Sequence, residues 1–104
     1  MAAIAAVGDC GKSRPAVIVQ TDAFPEAHAS VVICQMTSEL SAAPGFRIMI
    51  DPSDANGLRA RSQVMADKPV TVRRGRIGRM IGQLGVEDVG RVNVALAFVM
   101  GLAD

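Results

Sequence analysis

The chain has 104 residues, half of them apolar, enough for one hydrophobic core and too few for two, so residues 1–104 read as a single domain. Three Phe and no Trp or Tyr exclude the aromatic platforms on which single-stranded nucleic acid stacks without sequence preference, and no apolar run approaches the ~18 residues that cross a bilayer. The net charge of +1 hides an uneven spread: residues 58–80 balance at +6, against −3 for residues 1–57 and −2 for residues 81–104.

The opening "MAAIAAVGDC" has neither a charged leader nor a long apolar stretch, so it reads as no signal peptide, and the expected compartment is the cytoplasm. Residues 2–7 form a weak first strand, followed by a turn at "GDCGKS" that contains Cys10. Lys12 and Arg14 sit on that turn, and Pro15 leads into "AVIVQ" (16–20), a β-branched run consistent with burial on both faces. The loop "TDAFPEAHAS" holds the sole histidine, His28, which reads as a solvated loop residue.

The next strand is "VVICQMT" (31–37), with Cys34 packed inside it as a free thiol. Two cysteines and one histidine, with no CxxC or HxxxH spacing, suggest neither a disulfide framework nor a metal site, and no cofactor is expected. After the loop "SELSAAPG", the stretch "FRIMI" (46–50) alternates, with Phe46, Ile48 and Ile50 on one face and Arg47 and Met49 on the other. Asn56-Gly57 marks a turn in which both residues tolerate positive φ.

Two strands, "SQVMA" (62–66) and "VTV" (70–72), flank "DKP", where Pro69 predicts an edge or a bulge. "RIGRMIGQL" (76–84) continues as strand, and its glycines permit a sharp bend. The period then changes. Val89, Val92, Leu96 and Val99 fall on one helical stripe, Glu87 and Asp88 suit the start of the helix, and Gly101 suits its end. Val94 and Phe98 form a second apolar stripe on roughly the opposite side, to be covered by loops or by a partner. The expected fold is mainly β with one helix, a small, strongly bent antiparallel barrel carrying a C-terminal helix.

In this order, "GDCGKSRPAVIVQTD", "VVICQMTSEL", "PSDANGLRARSQVMADKPVTVRRGRIG" and "VNVALAFVMGL" resemble the MazF/PemK toxins of type II toxin–antitoxin systems, over residues 8–102. The resemblance implies an SH3-like barrel of the CcdB/MazF type, usually a homodimer. It also implies a metal-independent endoribonuclease that cuts single-stranded RNA by 2′-hydroxyl attack, and an antitoxin similar to MazE that blocks the RNA groove. Members usually begin a few residues earlier, whereas Met1 here falls inside the first strand. They also often carry an acidic residue in the loop that reads "GDCGKS" in this chain.

RNA cleavage passes through a phosphorane with extra negative charge, which needs fixed positive donors. Arg14 suits this role, because a guanidinium stays charged and presents paired N–H groups to phosphate oxygens, while Pro15 stiffens the backbone beside it. The bland alternative is an ion pair with a neighbour such as Asp9. The resemblance makes Arg14 catalytic and assigns a catalytic threonine to Thr37, with Ser38 as a possible assistant; read alone, Thr and Ser after a strand are ordinary turn residues.

Asp67 is the only acid in the basic segment. A related toxin uses an aspartate there, but with an arginine where this chain has Met65, so a salt bridge is the favoured reading for Asp67. Ser62, Gln63 and Lys68 are read as groove contacts, and Lys12, Arg73, Arg74, Arg76 and Arg79 as a basic RNA-binding patch. Two other readings stay open: a gyrase-poison-like toxin of the CcdB type that acts by protein contact, and a catalytically silent relative that binds antitoxin.

Overall fold

The computed structural model describes residues 3–9, 12–19, 29–42 and 46–102. Strand β1 (Ala3–Asp9) is followed by β2 (Lys12–Ile18), β3 (Ser30–Thr37), β4 (Arg47–Ile50) and β5 (Ser62–Arg73). A 3₁₀ turn at Arg74–Arg76 leads to β6 (Ile77–Gln83), and helix α1 (Val86–Val99) closes the chain. The strands form one antiparallel sheet in the order β4-β5-β3-β2-β1-β6. The expected first-strand residue Ala2, the loop around His28, and Cys10 lie outside the described residues.

The hairpin β1–β2 is tighter than the turn residues suggested. Asp9 pairs with Lys12 and the ladder runs on to Ile4 and Val17, so β2 begins four residues before Ala16 and contains Arg14 and Pro15. The strand tolerates Pro15 because only β1 runs beside it: β3 pairs with residues 16–18 alone, and a missing N–H breaks no ladder on that side. Within the described part of the run, residues 16–19, both faces are packed. Ala16 joins a cluster with Val7, Val31 and Ile33, while Val17 joins the main core on the other face with Ile4, Met36, Ile50 and Val92.

The segment around Pro69 is one strand rather than two. Met36 pairs with Val64 but Cys34 with Pro69, so residues 65–68 bulge past Gln35 and the twelve-residue strand bends there. β4 flanks only the first part of β5, and among the described residues none pairs with Pro69 on its other side. Arg76, expected in strand, belongs to the 3₁₀ turn instead.

The bend brings the two edges of the sheet together. The turn after β4 reaches β6, where the Gln83 N–H donates to the Ala55 carbonyl at 2.9 Å. The approach is close enough that a Cβ on Gly82 would stand 2.5 Å from the Ala55 oxygen, and one on Gly57 would overlap the Ile81 carbonyl. Gly57 has φ +68°, whereas Asn56, which would tolerate a positive φ, does not adopt one; among the described residues only glycines do. Asn56 shapes the turn through its buried side chain instead. Its Oδ1 accepts from the N–H groups of Ser53 (2.9 Å) and Leu58 (3.0 Å), and its Nδ2 donates to the Asp51 carbonyl (2.8 Å).

Helix α1 packs Val89, Val92 and Leu96 on the core, as the stripe predicts, whereas Val99, its last residue, is exposed. Glu87 and Asp88 occupy the first turn. At the other end Gly101 (φ +72°) donates to Phe98 and Leu102 to Ala97, a Schellman cap. Arg91 fastens the helix to the edge strand by donating from Nη1 to the Met49 carbonyl at 2.8 Å. Val94 (71% exposed) and Phe98 (57%) are uncovered among the described residues. Among the described residues no helix is long and apolar enough to cross a membrane.

Candidate nucleic-acid interface and active site

The last pair between β2 and β3 is Ala16–Gln35, and two residues beyond it on each strand, where the two part, stand Arg14 and Thr37. Both residues line one groove of about 540 Å³, with Pro15 and Met36 in its floor. The far wall is formed by the segment after Asn56-Gly57, including Leu58, Arg59 and Ala60, and by Arg79 and Ile81 of β6. The groove therefore sits where the curl closes.

Its electrostatics are one-sided. Arg14, Arg59 and Arg79 all line it, all three residues are exposed, and no acidic residue or histidine is among the described lining residues. No described carboxylate pairs with Arg14, and the Asp9 side chain lies outside the described set. Thr37 Oγ1 accepts the Glu39 N–H at 3.0 Å. That contact occupies an oxygen lone pair and leaves the hydroxyl proton to donate into the groove. Ser38 is exposed beside it, also on the lining.

The remaining predicted residues divide. Ser62 lines the groove but is buried, its Oγ donating to the Ala60 carbonyl at 2.9 Å. Gln63 is buried off the lining, with its amide bound to Ser41. Asp67 and Lys68 also lie off it. The Asp67 Oδ1 stands 3.7 Å from Arg47 Nε, a pair with both side chains largely buried, in keeping with the salt-bridge reading. Asp67, together with burial, pushes the Cys34 thiol up to about 11, with burial the larger cause.

The basic patch is split. Arg79 is in the groove, but Arg73 pairs with Ser30 and Arg74 donates to the Ala29 carbonyl, at the opposite end of β3 from Thr37. Seven residues of strand separate those ends, about 23 Å at ~3.3 Å per residue. Arg76 follows in the 3₁₀ turn. Lys12 opens β2, and its side chain lies outside the described set. Arg59 was missed by the sequence reading, since only the closure of the sheet carries it to Arg14. Among the described residues no group of three His, Cys, Asp or Glu gathers as a metal site would need.

Residues 2–100 match the family model of PemK-like, MazF-like toxins of type II toxin–antitoxin systems. The chain belongs to this family. A probable endoribonuclease MazF of Mycolicibacterium smegmatis is 40% identical over 93 residues, covering 89% of this chain and 84% of that protein. The Mycobacterium tuberculosis toxin MazF-mt6 shares the fold with a TM-score of 0.84 at 22% identity, covering 98% of this chain and 99% of its own. An endoribonuclease from a mycobacterial species, solved in complex with its cognate antitoxin, gives 0.83 at 24% identity, covering 98% and 94%. The expected architecture is met: six antiparallel strands and one C-terminal helix match these toxins.

Proposed function

We propose that the chain is an endoribonuclease toxin that cleaves single-stranded RNA in the groove between Arg14 and Thr37. The 2′-oxygen attacks the adjacent phosphorus, an O2′–P bond forms and the P–O5′ bond breaks, leaving a 2′,3′-cyclic phosphate and a 5′-hydroxyl. Arg14 holds the equatorial phosphorane oxygens through paired N–H groups, and the Thr37 hydroxyl donates to one of them. Arg59 and Arg79 seat the flanking phosphates. With no carboxylate or imidazole in the described lining, these side chains contribute charge stabilisation. Water in the open groove takes the 2′ proton and supplies one to O5′.

The observation that carries this reading is the gathering of three arginines and Thr37 along one groove without a described acid. A donor set of cations and hydroxyls does not hold a divalent ion, so cleavage proceeds in EDTA. The same groove suits the acidic, extended tail of a MazE-like antitoxin. The apolar side of α1 supports a homodimer, and action on RNA supports a cytoplasmic toxin. The test is incubation of purified protein with RNA in EDTA, mapping the 5′ ends of the fragments. Arg14→Ala and Thr37→Ala should each lower cleavage about 10²–10³-fold with unchanged thermal unfolding. Intact RNA with folded wild-type protein would refute the proposal.

A further inference from the structure

The loop that follows Thr37 runs over the surface, and residues 38–42 are all exposed. Its hydrogen bonds to the body of the protein come, among the described residues, from one buried side chain. Gln63, 3% exposed, accepts the Ser41 N–H on Oε1 at 3.0 Å and donates from Nε2 to the Ser41 carbonyl at 2.8 Å. Both ends of one amide thus engage both polar groups of one loop residue, as a strand neighbour would. The backbone of Gln63 is itself fixed, paired with Thr37 on one side and Met49 on the other. Thr37 in turn accepts the Glu39 N–H, so the loop it bonds to is the loop that Gln63 holds.

From this we infer that Gln63 is a positioning residue for the cleavage reaction: it holds the 38–41 loop, and through the Glu39 N–H it orients the Thr37 hydroxyl toward the scissile phosphate. This rests on the nuclease reading above. Gln63 touches no RNA itself, since it is off the groove lining and its amide is engaged elsewhere. Without it, the loop and the Glu39 N–H would wander, and the Thr37 hydroxyl would sample rotamers that do not face the phosphate. The three groove arginines stand on other segments and would keep RNA bound. Misorientation therefore falls on kcat and spares KM.

Gln63→Met, of similar length and apolar, tests this in the full-length protein, with Gln63→Leu as the replacement should the first not fold. The expected result is a folded protein with kcat down about 30-fold, KM within about threefold of wild type, and faster amide exchange at Glu39 to Ser41. In a Thr37→Ala background the same substitution should cost nothing further, whereas a merely structural role would lower activity again. Wild-type kcat in folded Gln63→Met, or a full additional loss in the double variant, overturns the inference. Wild-type protein that leaves RNA intact refutes the nuclease reading and this role with it; the exchange measurement then separately decides whether Gln63 holds the loop.

Discussion

At Arg14 the charge matters less than its shape. A lysine there would keep the positive charge but lose the planar pair of N–H groups that meets two phosphate oxygens at once. Arg14→Lys is expected to retain RNA binding within a few-fold and lose about 10²-fold in kcat, measured on a short RNA oligonucleotide. Cys34 makes a different prediction. Its thiol ionises near 11 in the folded protein against 9.0 ordinarily, so the folded state holds the proton more tightly. The stability this gives is fully present below about pH 9 and is lost as pH rises toward 11, by roughly 2–3 kcal/mol. Denaturant unfolding from pH 8 to 11 should show that fall in the wild type and a shallower one in Cys34→Ala. Arg14 was legible in the sequence because an Arg-Pro pair at a strand is a local pattern. Gln63 was misread as a groove contact because its burial depends on where β3 and the loop beyond it lie.

Among the elements, the contact between the Asn56-Gly57 turn and β6 is what closes the groove. Asn56 makes three side-chain hydrogen bonds while 3% exposed. Asn56→Ala should cost about 2–3 kcal/mol in denaturant unfolding, because buried N–H and carbonyl groups lose their partners. At Gly82 an alanine would press on backbone, which yields less readily than a side chain. Gly82→Ala should therefore destabilise by about 1–3 kcal/mol and reduce cleavage as the far wall moves away from Arg14. The alternation at residues 46–50, the Asn-Gly turn and the helix stripe were all readable, since each obeys a local period or a local turn chemistry. The continuity of β5 was not, because Pro69 interrupts a strand by every local rule and is tolerated here only through a bulge with β3 on one side. The length of β2 was hidden for a similar reason: the pairing with β1 drew Lys12, Ser13, Arg14 and Pro15 into the ladder.

Over the whole molecule, charge and apolar surface separate. The cations that face the groove come from β2, from β6 and from the segment after Gly57, so the +6 balance of residues 58–80 does not form one patch. If each of the three groove arginines neutralises one phosphate, log K for single-stranded RNA should fall against log salt with a slope near −2, and Arg59→Ala should reduce it by about 0.7. Filter binding with a non-cleavable 2′-deoxy oligonucleotide measures this. On the other side, Val94 and Phe98 lie against a shallow apolar groove with Ile48. Val94→Lys with Phe98→Lys should shift the protein in light scattering from the mass of two chains to that of one.

The order of strands along the sheet differs from their order in the chain, and this has a consequence for synthesis. β6, which brings Arg79, is the last strand made, yet it pairs with β1, the first. A nascent chain still lacking its final strand lacks the part of the far wall that carries Arg79 and Ile81. In the proposed nuclease the groove is therefore complete only once β6 has been made and has closed on β1.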